Sequence, residues 1–280
     1  MTQKIFLCSI SNINSGTCNE DCHFCSQSVR YKANIQRYKQ KPMEEILTQA
    51  RRLESLGALG FCLVTAQKGL DERTLEFVCT VARTLTREVP RLRLIGCNGT
   101  ATQEQLRELK ASGIVAYNHN LETSKEFYPR VCTTHAWEER WETCENVNAV
   151  GLKLISGGIF GMGERQDDRL SMLHALKALN PISVPLNFYH HNPALPLHPN
   201  PLTVEEALGL ISLARNVLDT TDRIMVAGGR EQMFGDRQHE IFNAGANSIV
   251  LGNYLTTQGE EAHVDLAMLK QLGLEIALHP

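Results

Sequence analysis

Short apolar runs alternate along the chain with longer segments in which apolar residues recur at helical spacing. The runs that predict strands lie at residues 4–10, 59–64, 91–97, 114–120, 152–157, 183–189, 223–227 and 248–251. The segments that predict helices lie at residues 43–56, 71–88, 102–112, 136–150, 167–179, 203–218, 231–244 and 261–272. Eight strand-then-helix units are typical of an α/β fold of the (βα)8 TIM-barrel type, so we predict a single domain over residues 1–280.

Residues at the predicted helix ends agree with this assignment. Thr102 and Thr203 precede acidic and amide residues at capping-box spacing, which favours a helix start at each threonine. Gly113 and Gly245 stand where helices are expected to stop. The proline-rich stretch at residues 193–201 predicts a loop after the sixth strand, not a linker between domains.

Charge and hydropathy narrow the class of ligand. The 280 residues carry a formal net charge of -3 and have no long basic block, which predicts no binding to nucleic acid. Apolar runs fall well short of the roughly 20 residues that a membrane span needs, and the first ten residues become polar too soon for a signal peptide. We therefore expect a cytoplasmic protein that binds no membrane and acts on a small molecule.

Three of the nine cysteines stand close together in the loop after the first predicted strand, as Cys18, Cys22 and Cys25. Barrel active sites are built at that end of the strands. Three thiolates can ligate three irons of a [4Fe-4S] cluster and leave the fourth iron open to another ligand. A structural zinc site normally takes four protein ligands, so a zinc site completed by His23 is the alternative that the spacing leaves open.

The cysteine spacing, with the aromatic Phe24 before the last cysteine, resembles the signature of the radical S-adenosylmethionine superfamily. The resemblance implies that S-adenosylmethionine binds the open iron through its amino and carboxylate groups. It also implies reductive cleavage to a 5′-deoxyadenosyl radical that abstracts hydrogen from the substrate.

Further segments are similar to the biotin synthase family within that superfamily. They are CNEDCHFCSQS at 18–28, YNHNLETS at 117–124, SGGIFGMGE at 156–164, VPLNF at 184–188, AGGREQM at 227–233, AGANSIVLG at 244–252 and LTT at 255–257. The resemblance implies a radical sulfurtransferase that inserts sulfur between two carbons of dethiobiotin. It also implies a low-potential electron donor, flavodoxin or ferredoxin, and a homodimer.

The same resemblance assigns roles to individual side chains. The residues expected at the cofactor are Asn120, Glu122, Gly158 and Ile159. The residues expected at the substrate are Asn118 and Asn187 for the ureido ring and Thr256 and Thr257 for the carboxylate. Glu122 departs from the aspartate usual in the family. Taken singly, an asparagine at a strand end is commonly a turn or cap residue, and a glycine-rich loop is commonly only tight geometry.

The chain departs from the family at a second, auxiliary cluster, which the family holds as [2Fe-2S] on three cysteines and one arginine. Cys62 and Arg230 match two of these ligands, but Ile95 and Ile155 stand where the other two cysteines are expected. Cys97 lies two residues beyond Ile95 and shares its face of the strand, and a third thiol, Cys8, lies on the first strand. We hypothesise that Cys8, Cys62 and Cys97, with Arg230 as a further candidate, hold a rearranged auxiliary cluster, [2Fe-2S] or larger.

Other interpretations remain open from the sequence. Each of these buried cysteines could act as a small apolar core residue. The function could be that of another radical barrel enzyme on a different small substrate, or of a catalytically inert barrel that binds zinc. Cys132 receives no role, although its loop after the fourth strand is expected to rim the active site.

Overall fold

A closed ring of parallel strands forms the centre of the molecule. The computed structural model describes residues 4–254, 256 and 259–278. The strands are β1 (Lys4–Asn12), β2 (Gly60–Val64), β3 (Arg93–Cys97), β4 (Ile114–Asn118), β5 (Lys153–Ile155), β6 (Gly158–Phe160), β7 (Ser183–Phe188), β8 (Arg223–Val226), β9 (Ser248–Val250) and β10 (Glu275–Ile276). Strand β1 pairs with both β2 and β9, which closes the ring.

Helices follow the strands and cover the outside of the ring. They are α1 (Met43–Ser55), α2 (Glu72–Glu88), α3 (Gln103–Ala111), α4 (Trp137–Ala149), α5 (Gln166–Leu179), α6 (Val204–Val217), α7 (Arg230–Phe234), α8 (Glu240–Asn243) and α9 (Ala262–Gln271). The capping boxes predicted at Thr102 and Thr203 are confirmed. The described residues thus form the predicted (βα)8 barrel, and none of their helices is long and apolar enough to cross a membrane.

Three details differ from the prediction. The fifth strand is divided into β5 and β6, which pair with the same strand, β7, in one register. The interruption lies where Gly157 packs against Pro185, whose nitrogen can donate no hydrogen bond to a ladder. The seventh helix is two short helices separated near Gly235, which has a positive φ of 49°. A short strand, β10, pairs with the start of β1.

Strand alternation divides the core into two layers. Outward residues such as Leu7 and Leu63 pack against the helices in the larger apolar cluster. Inward residues such as Cys8, Cys62 and Ile95 form a separate cluster inside the ring. At its closed end the side chain of Phe6 packs under the Arg223 guanidinium, 4.0 Å from the ring centroid. The apolar interior therefore opens only toward the carboxyl ends of the strands, where the cysteine loop lies.

Candidate active site at the mouth of the barrel

The cysteine loop follows β1 and is held by the buried side chain of Gln27. Its Oε1 accepts hydrogen bonds from the Gly16 N–H at 2.6 Å and the Ser15 hydroxyl at 3.1 Å. Backbone bonds join Cys18 to both Gln27 and Val29, which closes the loop on itself. Burial raises the pKa of the Cys25 thiol to about 11, so a metal ion must displace that proton in order to bind. These hydrogen bonds fix the path of the loop that carries the three predicted thiol ligands, with Cys25 in the cavity wall and the Cys22 sulfur against Cys132.

One cavity of about 370 Å³ joins the cysteine loop to the barrel interior. Its walls include Cys25 from the loop, Asn120 and Glu122 after β4, and Thr256 after β9. Its floor is formed by inward residues of the strands, namely Cys8, Cys62, Ile95, Cys97, Ile155, Met225 and Val250. The cavity therefore brings together most of the side chains that the family resemblance had assigned to cofactor, substrate and clusters.

The residues expected at the cofactor form one hydrogen-bonded group. Glu122 has a positive φ of 68°, and its carbonyl accepts a hydrogen bond from the Ile159 N–H at 2.8 Å. Asn120 accepts from the Gly157 N–H at 3.1 Å and donates to the Glu122 carboxylate at 3.4 Å. Burial raises the pKa of Glu122, and the nearby Arg140 guanidinium, 3.7 Å away, opposes that shift. The loop after β4 is thereby fastened to the glycine-rich strand β6.

Gly158 is required by this packing. A Cβ atom at this position would overlap the Met172 sulfur and would lie 2.7 Å from the Glu122 carbonyl oxygen. Glycine thus allows the backbone of β6 to approach both elements, and the neighbouring Ile159 side chain lines the cavity.

The two asparagines expected at the substrate differ in their bonding. Asn187 is engaged on both sides, since it donates to the Gly158 carbonyl at 3.1 Å and accepts from the Gly228 N–H at 2.9 Å. Asn118 donates to the Cys97 sulfur at 3.4 Å, and its buried Oδ1 has no hydrogen-bond partner within residues 4–254, 256 and 259–278. An unpaired buried acceptor facing a cavity is a site for a ligand N–H. Thr256 hydrogen-bonds Ser26 at 2.6 Å, and Thr257 lies outside the described residues.

The three candidate auxiliary thiols lie on adjacent strands at the bottom of the cavity. Cys8, Cys62 and Cys97 are carried by β1, β2 and β3, and all three line the cavity. Cys62 and Cys97 form a hydrogen-bonded pair that lowers the pKa of Cys97 and raises that of Cys62. Ile95 and Ile155 complete the apolar surroundings. Three converging thiols in an enclosed site are a donor set that suits iron–sulfur ligation.

Arg230 has other partners. Its two terminal nitrogens each donate to one oxygen of Asp265 at 2.7 Å, and one of them also contacts Glu231 at 3.2 Å. The remaining nitrogen donates to the Tyr254 hydroxyl at 3.4 Å. Arginine and aspartate are both fully buried, and these contacts raise the pKa of the guanidinium and keep it protonated. A protonated, bidentate-paired arginine has no lone pair for iron, so the geometry favours the three thiols without Arg230.

A second, polar cavity adjoins the first. It shares Ile10, Tyr254 and Thr256 with the main cavity, and Lys41 lies in its wall. The Lys41 ammonium has no hydrogen bond or ion pair to any described residue. Burial lowers the pKa of Lys41, and the Glu45 carboxylate opposes that shift. No sequence pattern indicates a role for Lys41, because an isolated lysine before a helix is indistinguishable from a solvated one.

The loop after β4 contributes side chains that sequence reasoning missed. Arg140, on the helix α4 that follows this loop, is partly buried, and it donates to the Asn120 carbonyl at 2.9 Å and to the Tyr128 hydroxyl at 2.6 Å. Cys132 and His135, from the same loop, lie directly against Cys22 and the acidic residues of the cysteine loop. The sequence predicted only that this loop lies at the rim of the active site, and it did not indicate these contacts.

Comparison with known proteins gives consistent matches. Residues 13–176 match the Radical SAM superfamily, and residues 185–275 match the Biotin and Thiamin Synthesis associated domain. The chain is 68% identical over 277 residues to the biotin synthase of Sulfurimonas denitrificans, with 99% of each chain covered. It is 54% identical to that of Aliarcobacter butzleri, with 98% of this chain and 97% of the relative covered.

Solved structures share the fold at low sequence identity. Methylornithine synthase superimposes with a TM-score of 0.81 at 18% identity, covering 98% of this chain and 84% of that one. The FeFe-hydrogenase maturase HydG from Carboxydothermus hydrogenoformans superimposes with a TM-score of 0.83 at 17% identity, covering 97% of this chain and 67% of that one. These two likenesses support the barrel architecture.

Proposed function

The chain belongs to the biotin synthase family of the radical S-adenosylmethionine superfamily, and from this premise we propose how its residues hold the reactants. The function of the family is sulfur insertion into dethiobiotin, and its cofactors are a [4Fe-4S] cluster, S-adenosylmethionine and an auxiliary iron–sulfur cluster. The observation that carries the proposal is the single cavity lined by Cys25, Glu122, Asn118 and the three deep thiols.

Cys18, Cys22 and Cys25 hold the [4Fe-4S] cluster at the cavity mouth. When bound, the cluster and S-adenosylmethionine supply a 5′-deoxyadenosyl radical for hydrogen abstraction at two carbons of dethiobiotin, and the auxiliary cluster supplies sulfur. The buried Glu122 carboxylate and the Asn120 amide offer acceptors for ribose hydroxyls. The Ile159 side chain, which lines the cavity with Asn120 and Glu122, offers an apolar surface for the adenine ring, and Gly158 lets the backbone beside it pack against the Glu122 loop.

Cys8, Cys62 and Cys97 hold the auxiliary cluster below the substrate. They line the same cavity wall as Asn118, whose amide already donates to the Cys97 sulfur. A hydrogen bond to a ligating sulfur tunes such a cluster, and the isoleucines at 95 and 155 exclude water from it. Arg230 stays outside this ligand set, because Asp265 binds its guanidinium in a buried bidentate pair.

Dethiobiotin lies between the two clusters. The unpaired Asn118 Oδ1 accepts a ureido N–H, and the ring is thereby fixed above the deep thiols. Thr256 stands at the passage to the polar cavity, so the valerate chain can leave the apolar cavity there. The carboxylate then meets the Lys41 ammonium, on which the Glu45 carboxylate also acts. Thr257 is a further candidate at this end.

The partners follow from the same family membership. We propose a low-potential flavodoxin or ferredoxin as electron donor, a homodimer, and a cytoplasmic location, since the chemistry requires a strong one-electron reductant and reduced thiols.

Iron and acid-labile sulfide per chain test the two-cluster arrangement. The wild type and two triple variants are reconstituted anaerobically: Cys18→Ala/Cys22→Ala/Cys25→Ala and Cys8→Ala/Cys62→Ala/Cys97→Ala. We expect each triple variant to keep one cluster type by Mössbauer spectroscopy and to lose the other, and neither to convert dethiobiotin. Cys79→Ala, a buried thiol on α2, is the matched control and should keep both clusters. Unchanged auxiliary iron in the Cys8/Cys62/Cys97 variant would contradict the proposed ligand set.

A further inference from the structure

Four potential metal-binding side chains converge at the outer side of the cysteine loop. The Cys22 and Cys132 sulfurs are 3.7 Å apart, and the Cys132 sulfur lies 3.3 Å from His135 Nδ1. The Glu20 carboxylate lies 2.6 Å from the same ring nitrogen. The cysteine and histidine ligand atoms all fall within 4.8 Å of one another, and all three residues are buried. The sulfur–sulfur and sulfur–nitrogen separations are those of neighbouring ligands around one tetrahedral ion with metal–ligand bonds of about 2.0–2.3 Å, whereas the carboxylate lies at hydrogen-bond distance from the imidazole and must move by several tenths of an ångström to become a fourth ligand.

The surroundings of His135 are those of a metal ligand. Its second nitrogen, Nε2, lies 2.7 Å from the Tyr128 hydroxyl, which also accepts a hydrogen bond from the Arg140 Nε at 2.6 Å. A ligating histidine commonly gives its other ring N–H to such a partner, which fixes the ring and its tautomer. Without a cation, the 2.6 Å contact requires Nδ1–H to donate to the Glu20 carboxylate and the Tyr128 hydroxyl to donate to Nε2. A bound cation takes the place of the Nδ1 proton, and Nε2–H then donates to Tyr128.

Asp21 joins the two loops that supply the ligands. Its Oδ1 accepts hydrogen bonds from the backbone N–H groups of Thr133 at 2.9 Å and Thr134 at 3.2 Å, and from the Thr134 hydroxyl at 3.0 Å. The Thr133 hydroxyl donates to its other oxygen. The segment after Cys132 is therefore fastened to the segment before Cys22, and the two sulfurs are held together although 110 positions separate them in sequence.

We propose that Cys22, Cys132, His135 and Glu20 form a binding site for a single divalent cation of the zinc or iron(II) class. Two thiolates, one imidazole and one carboxylate suit a tetrahedral ion of borderline softness. The cation displaces the protons of both thiols to solvent, and no electrons are transferred. Because Cys22 cannot serve this ion and the [4Fe-4S] cluster together, the two compete for the chain. The competition rests on the proposed role of Cys22, whereas binding of the ion does not.

Cobalt(II) is the probe for the site, since it replaces zinc and is coloured. The protein carries Cys18→Ala and Cys25→Ala, which abolish the cluster site and leave the four proposed ligands intact. We expect one cobalt per chain with the strong visible absorption of a tetrahedral site and sulfur-to-cobalt charge transfer. Adding Cys132→Ala or His135→Ala should weaken binding by at least about 100-fold, since loss of an outer-shell partner alone costs about 10- to 100-fold.

The matched control is Cys144→Ala in the same background. Cys144 is also fully buried, but its sulfur contacts the His119 carbonyl and lies outside the proposed site, so cobalt binding should be unchanged. Cys132→Ser replaces Cys132→Ala if circular dichroism shows that the alanine variant is unfolded. Absence of tetrahedral cobalt in the Cys18→Ala/Cys25→Ala chain, or an unchanged spectrum and affinity after Cys132 or His135 is replaced, overturns the site.

Competition is measured separately by the rate of cluster reconstitution with and without zinc. We expect zinc to slow reconstitution of the wild type and to slow it much less in Cys132→Ser. Equal slowing in the two proteins would refute competition at Cys22 through this site, even if cobalt binding had supported the site itself.

Discussion

The buried pair of Arg230 and Asp265 gives the sharpest stability prediction. Both side chains are fully buried, and two contacts of 2.7 Å join the guanidinium to the carboxylate. Asp265→Ala removes the bidentate carboxylate from the buried Arg230 at the start of α7 and leaves Glu231 and Tyr254 as its described partners. Removing one partner of a buried pair typically costs about 3–5 kcal/mol. With an unfolding entropy of about 2.1 cal/mol/K per residue, the melting temperature should fall by about 5–9 °C.

The measurement is thermal unfolding of the cluster-free chain by circular dichroism, so that iron contributes nothing to the difference. Asp222→Ala is the matched control, because Asp222 is exposed and forms no ion pair to a described residue. Its effect should stay within about 0.5 kcal/mol. A fall of less than about 2 °C in Asp265→Ala would refute the assigned burial and pairing. Arg230→Met adds a second readout, because it should leave auxiliary iron per chain unchanged if that arginine is no ligand.

Three further predictions concern the cavity. Gly158→Ala should destabilise the chain by about 1–3 kcal/mol, because its Cβ overlaps the Met172 sulfur, and should weaken S-adenosylmethionine binding, because it pushes on the Glu122 backbone; unchanged calorimetric binding would contradict the second effect. Burial raises the pKa of Glu122, so its charged form costs stability above that pKa. Glu122→Gln should therefore raise the melting temperature at pH 7, and it should leave the melting temperature unchanged at a pH below the usual carboxyl pKa. The same substitution should weaken S-adenosylmethionine binding. A lower melting temperature at pH 7 would count against the assigned cost of the buried charge. Lys41→Met should weaken dethiobiotin binding about 10-fold and leave its methyl ester unaffected, whereas the exposed Lys39→Met should change neither; equal losses for acid and ester would refute the role of Lys41.

The periodic signals of the sequence predicted the fold well, and their failures have local causes. The short apolar runs located the strands of the barrel, and the segments with helical spacing located the helices between them. These signals arise because each strand buries both of its faces and each helix buries one. The same signal could not detect the break between β5 and β6, which depends on contact between Gly157 and Pro185. The predicted helix over residues 231–244 also ran across the break near Gly235, although residues 235–240 carry no apolar side chain and the backbone turns there.

For the candidate site, the sequence alone predicted Cys18, Cys22 and Cys25 as cluster ligands, since these cysteines lie on one short loop and the prediction depends only on their spacing. Only the tertiary structure decided that Arg230 is bound by Asp265, that Lys41 faces a cavity, and that Cys132 touches Cys22. Each of these contacts joins segments far apart in the chain, and ring closure of the barrel sets their distance. A local sequence pattern indicates which residues share a strand or a helix face. It does not indicate which loops come into contact when the ring of strands closes.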